Sequence, residues 1–269
     1  MISSVWNENV VIITGASAGI GRALVLNLAQ QGAWLVLAAR DQSRLQELAL
    51  ECEKLGGQAL VAPTDVSDRV QCKNMIDAAI HEFGRIDTLI NNAGITMYAR
   101  FDEIKEISFV EKIIQVNYLG SVYPSFYALP YLKESRGRLV GISSLTGKNG
   151  VPTRSAYAGS KHAQAGFFDS LRIELDEAGV SVTMIYPGFV ATEIRQRAFG
   201  PDGQRVGQSH IREKNVMSAE RCASIIVKAA AKRKREVVMT AKAKVAQWVK
   251  LVAPKLIDNF ASKTIKFDK

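Results

Sequence analysis

A short β-branched run, Val10-Val11-Ile12-Ile13, stops at Thr14-Gly15-Ala16-Ser17-Ala18-Gly19-Ile20-Gly21, after which Ala23, Leu24, Val25 and Leu28 recur at helical spacing. No other stretch restricts the fold as tightly. A β-branched run ended by a turn signal suits a strand buried on both faces. Such a strand needs helices above and below it. The pattern then repeats, with strand-like segments near 10–14, 33–39, 58–62, 86–90, 137–143, 180–186 and 236–239 and helical patterns between them. The alternation predicts the α/β class: a doubly wound parallel sheet of about seven strands with helices on both faces. At 269 residues and 47% hydrophobic content the chain fits a single domain with a full core. No internal repeat, low-complexity tract or linker divides it.

Between a strand and a helix, a glycine-rich turn has a chemical use. Gly15 can supply a turn conformation closed to side chains. Gly19 and Gly21 let an anion approach the backbone, and the free amides of the helix N-terminus attract a pyrophosphate. Ser17 can add a hydroxyl, and Ile20 lies between the two glycines. The spacing is G-x-x-x-G-x-G and not the general dinucleotide fingerprint G-x-G-x-x-G. The next strand, 33–39, ends at Arg40 and Asp41. An acidic residue about 20 positions past the glycines ordinarily binds a ribose 2′-hydroxyl. Here Ala39 stands there, followed by a guanidinium able to pair with a 2′-phosphate. NADP(H) is therefore expected in preference to NAD(H). The competing possibility is that Arg40 is an ordinary surface residue and Asp41 the ribose ligand.

A second constellation lies further on. Tyr157 and Lys161 are four residues apart in a helical pattern running from 156 to about 178, so they share a face. A free tyrosine has a pKa of about 10 and is only ~0.1% ionised at neutral pH. A nearby ammonium favours the phenolate and draws that pKa down. The phenol can then give a proton to a carbonyl oxygen and take it back in the reverse direction. Ser144 follows the apolar strand Leu139-Val140-Gly141-Ile142. A hydroxyl at a strand end in such a sheet faces the ligand crevice and can stabilise developing charge.

With these residues in place, the chain resembles the short-chain dehydrogenase/reductase family over roughly residues 8–240. The matching pieces are Thr14–Gly21, Asp65-Val66, Asn91-Asn92-Ala93-Gly94, Asn117, Ser144, Tyr157-x-x-x-Lys161 and Pro187-Gly188, in family order and spacing. The resemblance implies a Rossmann-like catalytic domain over residues 1–240, with Tyr157 as acid/base. Lys161 would lower its pKa and bind the nicotinamide ribose, Ser144 would orient the substrate oxygen, and Asn117 would help hold a proton-relaying water. Asp65 and Val66 would flank the adenine. Asn91, Ala93 and Gly94 would line the adenosine and phosphate side, and Pro187, Gly188, Val190 and Thr192 the nicotinamide end. The segments around Ser144 and Pro152–Tyr157 are also similar to hydroxysteroid-dehydrogenase-like members. The resemblance further implies a homodimer or homotetramer, with helices near 106–132 and 156–178 as the shared surface. A non-catalytic dinucleotide-binding regulator is the rival on the same fold.

Residues 189–217 form a long segment with Gly and Pro at its middle, placed to act as a substrate loop. Phe189, Ile194 and Phe199, with Leu145, Thr96, Met97 and Tyr98, could line an apolar pocket for a small-molecule ketone or alcohol, or could simply anchor the loop. His162 is expected to be an ordinary helix residue. The cysteines (Cys52, Cys72, Cys222) and histidines are dispersed, so neither a disulfide framework nor a metal site is expected. With no signal peptide or membrane span visible, a cytoplasmic protein is expected.

The net charge of +9 is regional. Lys228 to Lys269 contains 12 basic and 3 acidic residues, which leaves the rest formally neutral. Within 241–269, Val245, Trp248, Val249, Val252, Leu256 and Phe260 recur at helical spacing among lysines, and Pro254 should divide the segment. Such a basic amphipathic extension can pack on the domain or a second subunit, or lie peripherally on an anionic membrane. Without a reading motif it gives no reason to expect nucleic acid.

Overall fold

The computed structural model describes residues 4–207 and 216–264. In chain order the elements are β1 (Val10–Thr14), α1 (Gly19–Ala29), β2 (Trp34–Ala39), α2 (Gln42–Lys54), β3 (Gln58–Pro63), α3 (Arg69–Phe83), β4 (Thr88–Asn91), α4 (Ser108–Ile114), α5 (Gly120–Glu134), β5 (Arg138–Ile142), α6 (Ser155–Glu174), β6 (Ser181–Tyr186), α7 (Ala219–Ala231), β7 (Glu236–Val238), α8 (Ala241–Val252) and α9 (Pro254–Thr264). The seven strands form one parallel sheet in the order β3-β2-β1-β4-β5-β6-β7. The order reverses between β1 and β4, and the crevice beyond the strand ends at that point is where such sheets bind ligands.

The β-branched runs are buried on both faces for the reason the sequence suggests. Val11 and Ile13 point to a core closed by Leu24, Leu28, Leu45, Leu48 and Ile226 of α1, α2 and α7. Ile12, between them, points to the opposite core, closed by Met75, Ile76, Ala128, Leu132 and Phe168 of α3, α5 and α6. Pro63 ends the edge strand β3, where a missing N–H is tolerated. The other edge, β7, is only three residues long, which limits unwanted pairing.

Two boundaries differ from the sequence pattern. The strand expected at 86–90 runs from Thr88 to Asn91; just before it, Asp87 bonds Val10 O and Arg138 N through its backbone and accepts the Val10 amide on its carboxylate at 2.9 Å. The helix expected to reach 178 stops at Glu174. There the chain turns through Gly179, at φ +71°, to enter β6. Pro254 does divide the C-terminal segment, separating α8 from α9. All three cysteines are free and buried.

Candidate active site

The glycine turn is built by exclusion. Gly15 has φ +67°, and a Cβ there would lie 2.9 Å from Ala93 Cα. A Cβ on Gly21 would sit 2.1 Å from the Gly15 carbonyl oxygen. Thr14 ties this turn to the end of β4. Its Oγ1 accepts from the Asn92 and Ala93 amides at 3.0 and 3.1 Å, while Asn92 Nδ2 donates to Thr14 O at 2.9 Å. The result is a bare N-terminus on α1: Ala18 offers no side-chain cap, and the first turn carries no acidic residue. Amide donors left without a protein acceptor suit a phosphate group. Ser17 is half-buried at the turn, and Ile20 packs partly against the core. Thr192 comes over the turn from the segment after β6, its methyl 3.0 Å from where a Gly19 Cβ would be.

At the end of β2, Asp41 caps α2. Its Oδ1 accepts from the Arg44 amide at 3.2 Å and from the Ser43 hydroxyl at 2.8 Å. These hydrogen bonds hold its pKa below the ordinary aspartate value. Arg40 is more than half exposed, and its nearest acidic group is Asp65 at 4.0 Å. Val66 is buried against Gly120. Asn91 is buried, its side-chain amide donating to Ser125 Oγ at 3.1 Å.

The four proposed catalytic positions converge beyond β4 and β5. Ser144 follows β5, its Oγ accepting from the Thr146 amide at 3.2 Å, and its hydroxyl lies close enough to Tyr157, on the first turn of α6, to favour the phenolate. Tyr157 is buried and packs with Met97, Phe109 and Ile113, with Phe199 against them. Lys161 lies one turn further on. Its Nζ donates to Ile142 O at 2.8 Å and to Gln164 Oε1 at 3.2 Å. Asn117 lies in a π-turn, Gln115–Leu119, between α4 and α5. Its amide accepts from Ile95 N at 2.8 Å and donates to Ile95 O and Ser160 Oγ, both at 2.9 Å. It thus pins the loop after β4 to α6, and π-turns are frequent at functional sites.

The electrostatics differ from the simple Tyr–Lys expectation. Burial raises the Tyr157 pKa above its ordinary value; Arg154 opposes this most, followed by the Ser144 hydroxyl. Burial also pushes the Lys161 amine down to about 7. Lys161 is turned toward a neutral carbonyl, so desolvation outweighs the mutual help expected of an ammonium and a phenol.

Of the residues suggested for an apolar pocket, Met97 and Phe199 meet through a short bridge, and Phe199 stacks on Phe109 at 5.7 Å between ring centroids. Phe189, by contrast, is 48% exposed. Val190 bridges Met217, Leu145 N donates to Pro187 O at 3.0 Å, and Leu145 Cδ1 approaches Gly188. His162 bonds back to Ala158 O. Residues 208–215 of the expected substrate loop lie outside the described residues. Sequence reasoning missed Arg154, Ser160 and Gln164. Arg154 could have been flagged by its position three residues before Tyr157, within one helical turn.

The comparisons agree with this architecture. A family model described as short chain dehydrogenase matches residues 9–201. The chain is 37% identical over 255 residues to 11-beta-hydroxysteroid dehydrogenase A of Sesamum indicum, covering 93% of this chain and 73% of that protein. It is 38% identical over 252 residues to 11-beta-hydroxysteroid dehydrogenase-like 4A of Arabidopsis thaliana, covering 93% and 83%. A solved alcohol dehydrogenase from the archaeon Thermococcus sibiricus, complexed with 5-hydroxy-NADP, superposes with a TM-score of 0.75 at 26% identity, covering 85% of this chain and 94% of that one. A nucleotide-binding crevice at the β1/β4 switch, a buried Tyr–Ser–Lys group beside it and these matches together place the chain in the short-chain dehydrogenase family.

Proposed function

We propose that this chain is an NADP(H)-dependent oxidoreductase that moves hydride between nicotinamide and a carbonyl or secondary alcohol, with Tyr157 as the acid/base. The observation that carries the reading is the buried Tyr157 beside the Ser144 hydroxyl, with the Lys161 amine 6.0 Å from its ring centroid. The bound cofactor supplies or accepts the hydride. Tyr157 gives a proton to the carbonyl oxygen in reduction and recovers it in oxidation. Ser144 steadies that oxygen as charge develops. Lys161 would bind the nicotinamide ribose, and Asn117 keeps the loop after β4 against α6.

The 2′-phosphate preference is supported by two facts. The Asp41 carboxylate is engaged as a helix cap, and the Arg40 guanidinium is accessible. Asp65 and Val66 would flank the adenine, the backbone at Asn91, Ala93 and Gly94 the adenosine side, and Pro187, Gly188, Val190 and Thr192 the nicotinamide end. Incubating the protein with NADPH and a panel of apolar ketones and aldehydes, and following cofactor absorbance, tests the reading. Oxidation of NADPH is expected. Tight NADPH binding without turnover of any carbonyl would favour the regulator. Names such as hydroxysteroid dehydrogenase among the relatives make steroid-like and lipid ketones the first members of the panel.

A location on anionic lipid is the second reading. Val245, Trp248 and Val252 form an exposed stripe on α8, continued by Leu256 and Phe260 on α9. Lys242, Lys244 and Lys255 accompany it. No described helix is long and apolar enough to cross a membrane. A cytoplasmic enzyme bound peripherally through this stripe should sediment with phosphatidylserine vesicles, and Trp248→Glu should release it. A homo-oligomer joined through α5 and α6 is proposed on the exposure of Phe126 and Ile173 on those helices. Phe126→Glu with Ile173→Glu should reduce the mass seen by light scattering.

A further inference from the structure

Arg154 and Arg195 are both more than nine-tenths buried, and neither meets a carboxylate among the described residues. That is unusual. A guanidinium stays charged in a protein, and a buried charge is normally paired. Among the described residues Arg138 is also deeply buried; burial lowers its pKa, but Asp87 favours its charged form. The partners of the first two are neutral. Arg154 Nη1 donates to Thr96 Oγ1 at 2.7 Å, and its guanidinium lies 3.8 Å from the Tyr98 ring centroid. Arg195 Nη2 donates to Val190 O at 3.0 Å. Arg154 Nε and Arg195 Nη1 are buried without any hydrogen-bond partner.

Their position gives the unused donors a purpose. Arg154 immediately precedes α6, and its guanidinium lies 5.9 Å from the Tyr157 ring centroid. Arg195 begins the stretch that returns to the same place: the Ala198 amide bonds Arg195 O, and the Phe199 amide bonds Thr96 O at 3.0 Å. Thr96 is therefore held by Arg154 through its side chain and by the Arg195 segment through its backbone. Burial lowers the Arg154 pKa, and the Arg195 charge adds to that effect in a smaller way. The turn before Arg154 holds Thr153 at φ +65°, an uncommon conformation for a β-branched residue.

We propose that Arg154 and Arg195 form a subsite for an oxoanion carried by the substrate, a carboxylate or a phosphate monoester, next to the carbonyl that Tyr157 protonates. The substrate is then an anionic amphiphile, with its charged end on the arginines and its apolar body toward Met97 and Phe199. Such a ligand supplies the counter-charge the fold omits, and two guanidiniums offer donors in the forked geometry that oxoanions accept. This proposal rests on the reductase reading only for the identity of the second ligand end.

The test compares ketones of one aryl-alkyl skeleton that end in a carboxylate, a phosphate monoester or a methyl ester. With NADPH, kcat/KM of the wild-type protein should favour at least one anionic ketone over the ester by roughly ten- to a hundredfold, the span of one or two charge-assisted hydrogen bonds. Whichever anion leads identifies the group. Arg195→Met and Arg154→Met should each bring that ratio close to one. In parallel, calorimetry on the wild-type protein loaded with NADP+ should show binding of benzoate or phenyl phosphate, and weaker binding of methyl benzoate. Equal kcat/KM for ester and anions, or no binding of either anion, would overturn the subsite. Anion binding with no turnover of any ketone would instead overturn the reductase reading and leave the subsite standing.

Discussion

The Arg154 guanidinium and the Tyr157 ring are separated by 5.9 Å to the centroid, as close as the 6.0 Å between that ring and the Lys161 amine. Two cations therefore flank the phenol. The one four residues later in sequence is turned away to Ile142 O, so the earlier one opposes the burial of Tyr157 more strongly.

The Lys161 amine makes stability depend on pH. In the unfolded chain a lysine holds its proton to about pH 10.5. In the folded chain Lys161 gives its proton up near pH 7. Between those values the unfolded state binds the extra proton, so stability rises with pH, at up to about 1.4 kcal/mol per unit. Urea unfolding of the cofactor-free protein from pH 6 to 10 should show this rise, and Lys161→Met should flatten it. Identical profiles for the two proteins would contradict the assignment.

Gln164 connects the same amine to the interior. It accepts from Lys161 and donates to Ser121 Oγ at 2.8 Å. Gln164→Leu removes an acceptor from a buried amine and should cost about 1–3 kcal/mol. Denaturant midpoints measure it; an unchanged midpoint would mean the contact carries no energy.

Arg40→Asp should invert cofactor choice. Losing charge-assisted bonds to a 2′-phosphate and adding a like charge should weaken NADPH by about 10- to 100-fold relative to NADH. Fluorescence titration with each nucleotide decides. An unchanged ratio would leave the 2′-phosphate without a recognised partner.

Gly21→Ala should damage the turn itself. Its new Cβ would lie 2.1 Å from the Gly15 carbonyl and 2.7 Å from Asn92 Nδ2. Backbone has to shift, at a cost of about 1–3 kcal/mol. Cofactor affinity should fall along with thermal stability. Unchanged values for both would contradict the close packing described.

What the amino-acid pattern revealed follows from how local each signal is. The run Val11–Ile13 alternates between two cores, so its burial was readable from residue type alone. The glycines announce a backbone that closes only without side chains. Tyr157 and Lys161 share a helix, and their spacing fixes a common face. Long-range polar pairing was not readable in this way. Asn117 reaches Ser160 across 43 positions, and Arg154 reaches Thr96 across 58. Nor does spacing reveal that Lys161 turns to a backbone carbonyl, because that depends on the end of β5 and not on α6.

Replacing Tyr157 with Phe tests the central claim most directly, with NADPH affinity and steady-state turnover of a responsive ketone measured on the same preparation. The phenyl ring keeps the packing against Met97 and Phe109. Turnover should fall on the order of 10²–10⁴-fold, the contribution of a positioned acid, while NADPH affinity stays within about threefold, the pattern of an interaction made only in the transition state. Turnover that persists at the parental rate would contradict the account.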